Sequence, residues 1–309
     1  MQRIGLQEIR ERTYKRRDAW WTVLLVDPLA SRLVRLVAPY RWITPNLLSA
    51  IAFVFGIGSA VCFALGTHAW LAVGALLFHL SFVVDCMDGK IARLNGTGSM
   101  FGAWFDFMFD RVRVIMCTVA LMGGQYARTH DLIFLWLAVA VVTLDLFRYL
   151  NSSQMGKLKR AMDGRLAEAR GEAPGSAVPG ARAAAADAEL ADDEADPADT
   201  VEVNAAAGGS RYIRLRNWLN ARRIRIHLFS GIEYEMSVFI IGPLVFQVAL
   251  VTIAAGALLL LFEAALVMRL YQATRRFQRQ LRKIEASAPH AEADVPDPRA
   301  EREQVSAGH

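Results

Sequence analysis

The chain has 309 residues, 54% of them hydrophobic, with seven Trp and a mean hydropathy of +0.26; the apolar residues gather in blocks, which argues against ordinary soluble domains and for an integral membrane protein. The formal net charge of +5 hides a division: residues 171–210 hold nine Asp and Glu against one Arg, or −8, leaving +13 for the remainder. Because the basic part is also the apolar part, its charge points to anionic headgroups or an anionic substrate and away from nucleic acid.

Residues 1–46 contain nine Lys and Arg and lack an apolar run followed by a small-residue cleavage site. Insertion is therefore expected to be driven by the first hydrophobic helix, not by a cleaved signal. Within residues 20–42, Trp21, Leu24, Leu25, Leu29, Leu33, Leu36 and Val37 recur at steps of three to four, with Arg32 and Arg35 between them. That pattern predicts an amphipathic helix lying along the membrane interface. Thr44 and Pro45 then supply an N-cap and a first helical residue for the first crossing.

Four apolar blocks follow at about 47–67, 69–91, 101–123 and 131–150, and two more share residues 226–271, where Gly242 and Pro243 mark a place for the fifth helix to bend or end. The expectation is an all-α integral membrane protein of six transmembrane helices preceded by an interfacial amphipathic helix. Residues 151–225 read as a cytoplasmic connection. Its stretch 171–210, with 14 Ala, five Gly, three Pro and no aromatic, reads as a disordered acidic linker. Residues 272–309 read as a basic, then disordered, tail. Basic residues cluster at 1–46, 148–170, 211–225 and 269–283, whereas the opposite connections carry only Arg128. Both termini are accordingly expected on the cytoplasmic side of the plasma (inner) membrane. Cys62, Cys86 and Cys117 share no ligand or disulfide spacing and read as small hydrophobes.

The informative stretch is 85–110, wedged between oily segments. Asp85 and Asp88 are three apart on one helix, with Gly89, Ala92 and Arg93 just beyond; Gly102, Asp106 and Asp110 are spaced four and four on the next. Each set forms one stripe of a helix. Two facing stripes would gather four carboxylates that cannot all stay ionised at close range without compensating positive charge. The compact solution is a pair of divalent cations, Mg²⁺ or Mn²⁺, which prefer hard oxygen ligands and can clamp a diphosphate. Glycine at 89 and 102 would let a ligand approach the backbone. A hydrated helix end explains any one of these acids, but Asp106 and Asp110 fall about 6 and 12 Å along their helix. Acids at that depth belong to a wet cavity or the bundle interior.

The pattern Asp85-x2-Asp88-Gly89-x2-Ala92-Arg93-x8-Gly102-x3-Asp106-x3-Asp110 is similar, without departure, to the signature of the CDP-alcohol phosphotransferase family of membrane enzymes. The resemblance extends over roughly 20–150 and 211–280 and includes the Thr44-Pro45-Asn46 lead-in; the acidic linker has no counterpart in it. It implies that Asp85, Asp88 and Asp106 ligate metal, that Asp110 shares the second site and acts as general base, and that Gly89, Ala92, Arg93 and Gly102 form the CDP pocket, with Ser99 as a further nucleotide contact. It also implies transfer of a substituted phosphoryl group from a CDP-linked donor to an alcohol with release of CMP, and a homodimer. The donor expected is CDP-diacylglycerol, and the acceptor a small soluble alcohol or a phosphorylated polyol. An acceptor site is expected from Lys157, Lys159, Arg160, Arg223 and His227, which sit where a phosphorylated acceptor would meet positive charge.

Alternatives stay open at this point. A CDP-choline or CDP-ethanolamine donor could act on a lipid alcohol; the intramembrane acids could belong to a transporter; or the chain could be a non-catalytic membrane scaffold. Arg111 and Arg113 are candidates to support the carboxylates or to reach headgroups. Asp145 and Glu263 are expected to pair with basic groups or to line the cavity, in a structural role.

Overall fold

The first apolar block becomes a helix because its entry is fixed twice. Thr44 is extended and its side-chain oxygen accepts a hydrogen bond from Leu47 N at 3.3 Å, while Pro45 holds the first turn. In the computed structural model, which describes residues 5–40, 42–171, 210–225 and 229–287, this helix is α3, Pro45–Leu65. It follows α1 (Leu6–Thr13), a π-helical turn at Thr22–Val26, and α2 (Asp27–Val37). Next come α4 (His68–Asn95), α5 (Met100–Thr129), α6 (Ile133–Ala169) and α7 (Ser210–Ala221). A run from Gly231 to Leu244 comprises α8 (Gly231–Met236), a π-helical segment (Ser237–Ile241) and α9 (Gly242–Leu244), and α10 (Val248–Ser287) closes the described chain. Among the described residues no strand occurs, only an isolated parallel bridge between Asp18 and Ile224.

The chain divides into two compact units. The first comprises residues 1–157 and 178–268, the second 158–177 and 269–309. In the second unit the described residues are the far stretches of α6 and α10.

In the first unit α3 packs most extensively on α4 and then on α5. Glycine makes this closeness possible. A Cβ on Gly124 of α5 would stand 2.3 Å from the carbonyl oxygen of Phe63 on α3, and one on Gly74 of α4 would stand 2.6 Å from the Phe63 ring. Small residues at such crossings let backbones touch where lipid offers no hydrophobic drive. Phe63, Phe78, Leu121, Tyr234 and Phe239 fill the core between the helices.

Among the described residues four helices are long and apolar enough to cross a membrane: α3, α4, α6 and α10. Length and composition thus support four of the six expected spans. The block at 101–123 lies within the 30-residue α5, but Asp106, Asp110, Arg111 and Arg113 interrupt its apolar surface. The expected fifth span is the broken run 231–244, about 20 Å long at helical rise and shorter than a hydrocarbon core of about 30 Å. Its end falls where Gly242 and Pro243 suggested: Phe246 turns left-handed at φ 58° and Gln247 N reaches back to Gly242 O at 3.1 Å.

Two boundaries differ from the hydropathy reading. Helix α6 runs past residue 150 to Ala169, and α10 past 271 to Ser287. Apolarity ends at the membrane edge, but helix continues wherever good helix formers follow without proline. The expected juxtamembrane helix is also rearranged. Its buried face is Val26, Asp27, Ala30, Ser31 and Val34, while Leu24, Leu25 and Leu36 stand exposed. Leu29, Leu33 and Val37 are partly buried against the core, so only Leu24, Leu25 and Leu36 of the expected apolar stripe face outward. The linker 172–209 and the tail 288–309 lie outside the described residues.

Candidate active site

Helices α4 and α5 present their acids toward one another. Asp85 and Asp88 occupy the last third of α4, and Asp106 and Asp110 the first third of α5. The connection between them is tightly set: α4 ends at left-handed Gly96, and Ser99, the N-cap of α5, accepts a hydrogen bond from Gly102 N at 2.9 Å. One oxygen each from Asp85, Asp88 and Asp106 come within 4.8 Å of one another. Asp88 is buried and its Oδ2 accepts from Ser49 Oγ on α3 at 2.5 Å; Asp106 Oδ1 is buried without a hydrogen-bond partner.

A buried acid oxygen left unsatisfied costs free energy unless something with positive charge or a donor meets it. The donor set is all oxygen, its charge exceeds the nearby cations, and its spacing suits a shared central atom. These residues fit a divalent cation of the hard class, Mg²⁺ or Mn²⁺.

Asp110 is held differently. Arg113, one turn further along α5, donates from Nη2 to Asp110 Oδ1 at 2.5 Å and from Nη1 toward Asp85 Oδ1 at 3.5 Å. Its Nη1 also donates to Ser81 Oγ at 3.1 Å, and Ser81 in turn donates to Ala52 O at 2.6 Å. The stem of Arg113 runs over Gly56 of α3, where a Cβ would come within 2.9 Å of its Cγ and Cδ. The Asp110 side chain keeps 26% of its surface exposed against 14% for Asp85, so of the two acids that Arg113 touches it is the more open to an incoming hydroxyl.

The residues assigned by resemblance to the nucleotide lie at the same end of the bundle, with local partners of their own. The guanidinium of Arg93 lies beside Gly89, 3.6 Å from where a Cβ would be, and its Nε donates to Thr13 O at 3.0 Å. Ala92 is half-buried beside it. Gly102 leaves room for the Ser99 hydroxyl and for Asn46, 3.0 and 3.4 Å from a notional Cβ. Ser99 thus serves the helix start.

The expected acceptor residues are scattered. Lys157 lies on α6 in the first unit, Lys159 and Arg160 on α6 in the second. Arg223 is engaged elsewhere: it donates to Lys15 O at 3.0 and 2.8 Å, pairs with Asp27 at 3.2 Å and stacks over Tyr14 at 4.1 Å. His227 falls outside the described residues. Asp27 also takes buried Lys90 at 2.8 Å, which ties α2 to the acid-bearing helix α4.

Beside the acids lies a second charged cluster. Arg111 and Arg148 pair with Asp145 and Glu235: Arg111 bonds Asp145 closely and reaches Glu235 at 3.4 Å, and Arg148 reaches Glu235 at 3.0 Å and Asp145 at 3.4 Å. Both guanidinium groups lie over the Tyr149 ring, at 3.9 and 4.1 Å. Gly231 is required here, since a Cβ would sit 1.9 Å from Arg148 Nη1. Asp145 thus pairs with basic groups as expected, whereas Glu263 takes a hydrogen bond from the Asn151 amide at 2.6 Å.

Sequence reading missed Ser49, Ser81 and Lys90. The available signal was weak: polar side chains inside otherwise apolar helices, at positions that the acid motif does not include.

The chain is similar to known proteins over the segment that holds these acids. The family model for CDP-alcohol phosphatidyltransferase matches residues 42–170. A CDP-diacylglycerol–glycerol-3-phosphate 3-phosphatidyltransferase of Cereibacter sphaeroides is 36% identical over 109 residues, 35% of this chain and 46% of that protein. A phosphatidylinositol phosphate synthase of Corynebacterium glutamicum is 32% identical over 89 residues, 29% of this chain and 37% of that one. A bifunctional IPC transferase and DIPP synthase of Aquifex aeolicus is 34% identical over 68 residues, 22% of this chain and 15% of that one. The chain spans less than half the length of each of these relatives.

Proposed function

We propose that the chain, whose residues 42–170 match the family model for CDP-alcohol phosphatidyltransferase, transfers a phosphatidyl group from CDP-diacylglycerol to the hydroxyl of a small soluble alcohol or phosphorylated polyol, releasing CMP. The observation that carries the reading is the approach of one oxygen each from Asp85, Asp88 and Asp106 to within 4.8 Å, with Asp106 Oδ1 buried and unsatisfied. The first relative named above acts, by its name, on CDP-diacylglycerol and glycerol 3-phosphate. A multi-pass membrane protein suits a donor with a lipid tail. The acids lie near helix ends, where the diphosphate stays at the aqueous edge while acyl chains remain in the bilayer. The positive-inside distribution supports a cytoplasmic position for that edge and for both termini.

Asp85, Asp88 and Asp106 would hold divalent cations. Bound there, such ions neutralise charge on the diphosphate and on departing CMP. The chain's own groups do the rest. Asp110 is exposed enough to take the proton of the acceptor hydroxyl, and Arg113 holds one of its oxygens so that the other is turned to a defined direction. Arg93 lies over Gly89 at the cytoplasmic end of α4, where a nucleotide phosphate can exchange for the Thr13 carbonyl that now accepts its Nε–H. Ser49 orients Asp88 from α3.

The test is CMP release by purified full-length protein in nanodiscs, with CDP-diacylglycerol or CDP-choline as donor, glycerol 3-phosphate, inositol phosphate or diacylglycerol as acceptor, and Mg²⁺ or Mn²⁺. Metal-dependent CMP release with CDP-diacylglycerol and a soluble acceptor is expected. Release only from CDP-choline in the presence of diacylglycerol would reverse the donor assignment, and absence of CMP under every combination would overturn the transferase reading.

A further inference from the structure

We propose that Arg113 is a positioning residue that acts as a built-in counter-ion, withholding Asp110 from the metal-holding trio, so that the chain without donor holds one divalent cation tightly and a second only weakly. The inference rests on reading the site as a transferase metal centre.

Three observations carry it. The oxygens that converge within 4.8 Å belong to Asp85, Asp88 and Asp106, whereas Asp110 gives an oxygen to Arg113. The arginine is not an adventitious neighbour: it is 3% exposed, its stem lies in a groove kept open by Gly56, and Ser81 fixes Nη1 through a hydroxyl that is itself oriented by Ala52 O. Phe78 bounds the guanidinium, 5.9 Å from its carbon. Such a side chain is set to present charge at one place.

The charge balance points the same way. Four carboxylates and one guanidinium leave three formal negative charges at the site. One divalent cation leaves one negative charge, and a second turns the site net positive, so without an added anion the second ion is held against the charge of the first and of Arg113. An arriving diphosphate supplies the negative charge that a second cation would offset. Arg113 therefore couples the second cation to the donor while it keeps one Asp110 oxygen in place, the other staying turned toward the acceptor hydroxyl.

The test is Mn²⁺ titration of the full chain in nanodiscs, without donor, following free Mn²⁺ by electron paramagnetic resonance. Wild type is expected to bind one Mn²⁺ tightly and a second at least about tenfold more weakly. Arg113→Met should tighten the second site by roughly tenfold or more, Arg113→Lys should restore the wild-type pattern, and Ser81→Ala, which loosens the guanidinium without removing its charge, should tighten the second site by less. Two equally tight sites in wild type, or a pattern unchanged in both Arg113→Met and Ser81→Ala at unaltered elution and melting, overturns the role of Arg113 alone. No Mn²⁺ binding in wild type overturns the metal reading and this inference together.

Discussion

Helix α5 carries two charge clusters that meet at the adjacent residues Asp110 and Arg111 and follow opposite rules. Arg111 joins Asp145, Arg148 and Glu235 in a set of two cations and two anions covered by Tyr149. Asp110 joins Asp85, Asp88 and Asp106 with Arg113 as the one cation bonded among them, and Asp106 keeps an oxygen unsatisfied. A balanced cluster has no need of a ligand; removing one member exposes the others to a low-dielectric interior. An unbalanced cluster holds unmet charge that a ligand can satisfy. The comparison separates structural from functional acids by their bookkeeping of charge, where burial alone would rank them together.

Breaking the unbalanced set should cost function and spare stability. Asp106→Asn is expected to lower metal-stimulated CMP release by about a thousandfold. Its melting temperature in detergent should stay level or rise, because the change removes an uncompensated charge. A large drop in melting temperature would show that Asp106 holds the fold.

Breaking the balanced set should do the reverse. Arg148→Met leaves Asp145 and Glu235 sharing only Arg111, and should cost about 3–5 kcal/mol of stability, read as a lower thermal midpoint. Mn²⁺ affinity of the protein that remains folded should be unchanged. Weakened Mn²⁺ binding would mean that the two clusters communicate through α5.

The smallest effect sharpens the comparison from outside both clusters. Ser49→Ala removes the hydroxyl that orients Asp88, and apparent Mn²⁺ affinity should fall about tenfold, with little change in melting. An unchanged affinity would show that Asp88 is aligned by its helix alone.

Much of the site was legible in residues 85–110. The spacing of the acids on two successive helices, the glycines at 89 and 102 and the cap at Thr44 are local features, and helical periodicity converts them directly into faces. The division of labour between Arg111 and Arg113 was legible too, though easily overlooked. Two residues apart on a helix point about 200° apart, so the pair cannot serve one site, whereas Asp110 and Arg113, three apart, share a face. The fifth span was less legible because hydropathy counts apolar residues and not unbroken turns; the run 231–244 is apolar but interrupted by a π-helical segment. The expected acceptor residues include Arg223, and local sequence does not say which carboxylate an arginine meets. Arg223 met Asp27.

What the sequence by itself determined is the membrane class, the two acid stripes and their family signature, because each depends on neighbours within a few turns of helix. Only the tertiary structure decided which acids are compensated. Ser49 reaches Asp88 across 39 residues, Arg113 reaches Asp85 across 28, and Arg148 reaches Glu235 across 87. The physical reason is that electrostatic compensation depends on distance in space, and helix packing sets those distances through contacts that local periodicity does not encode.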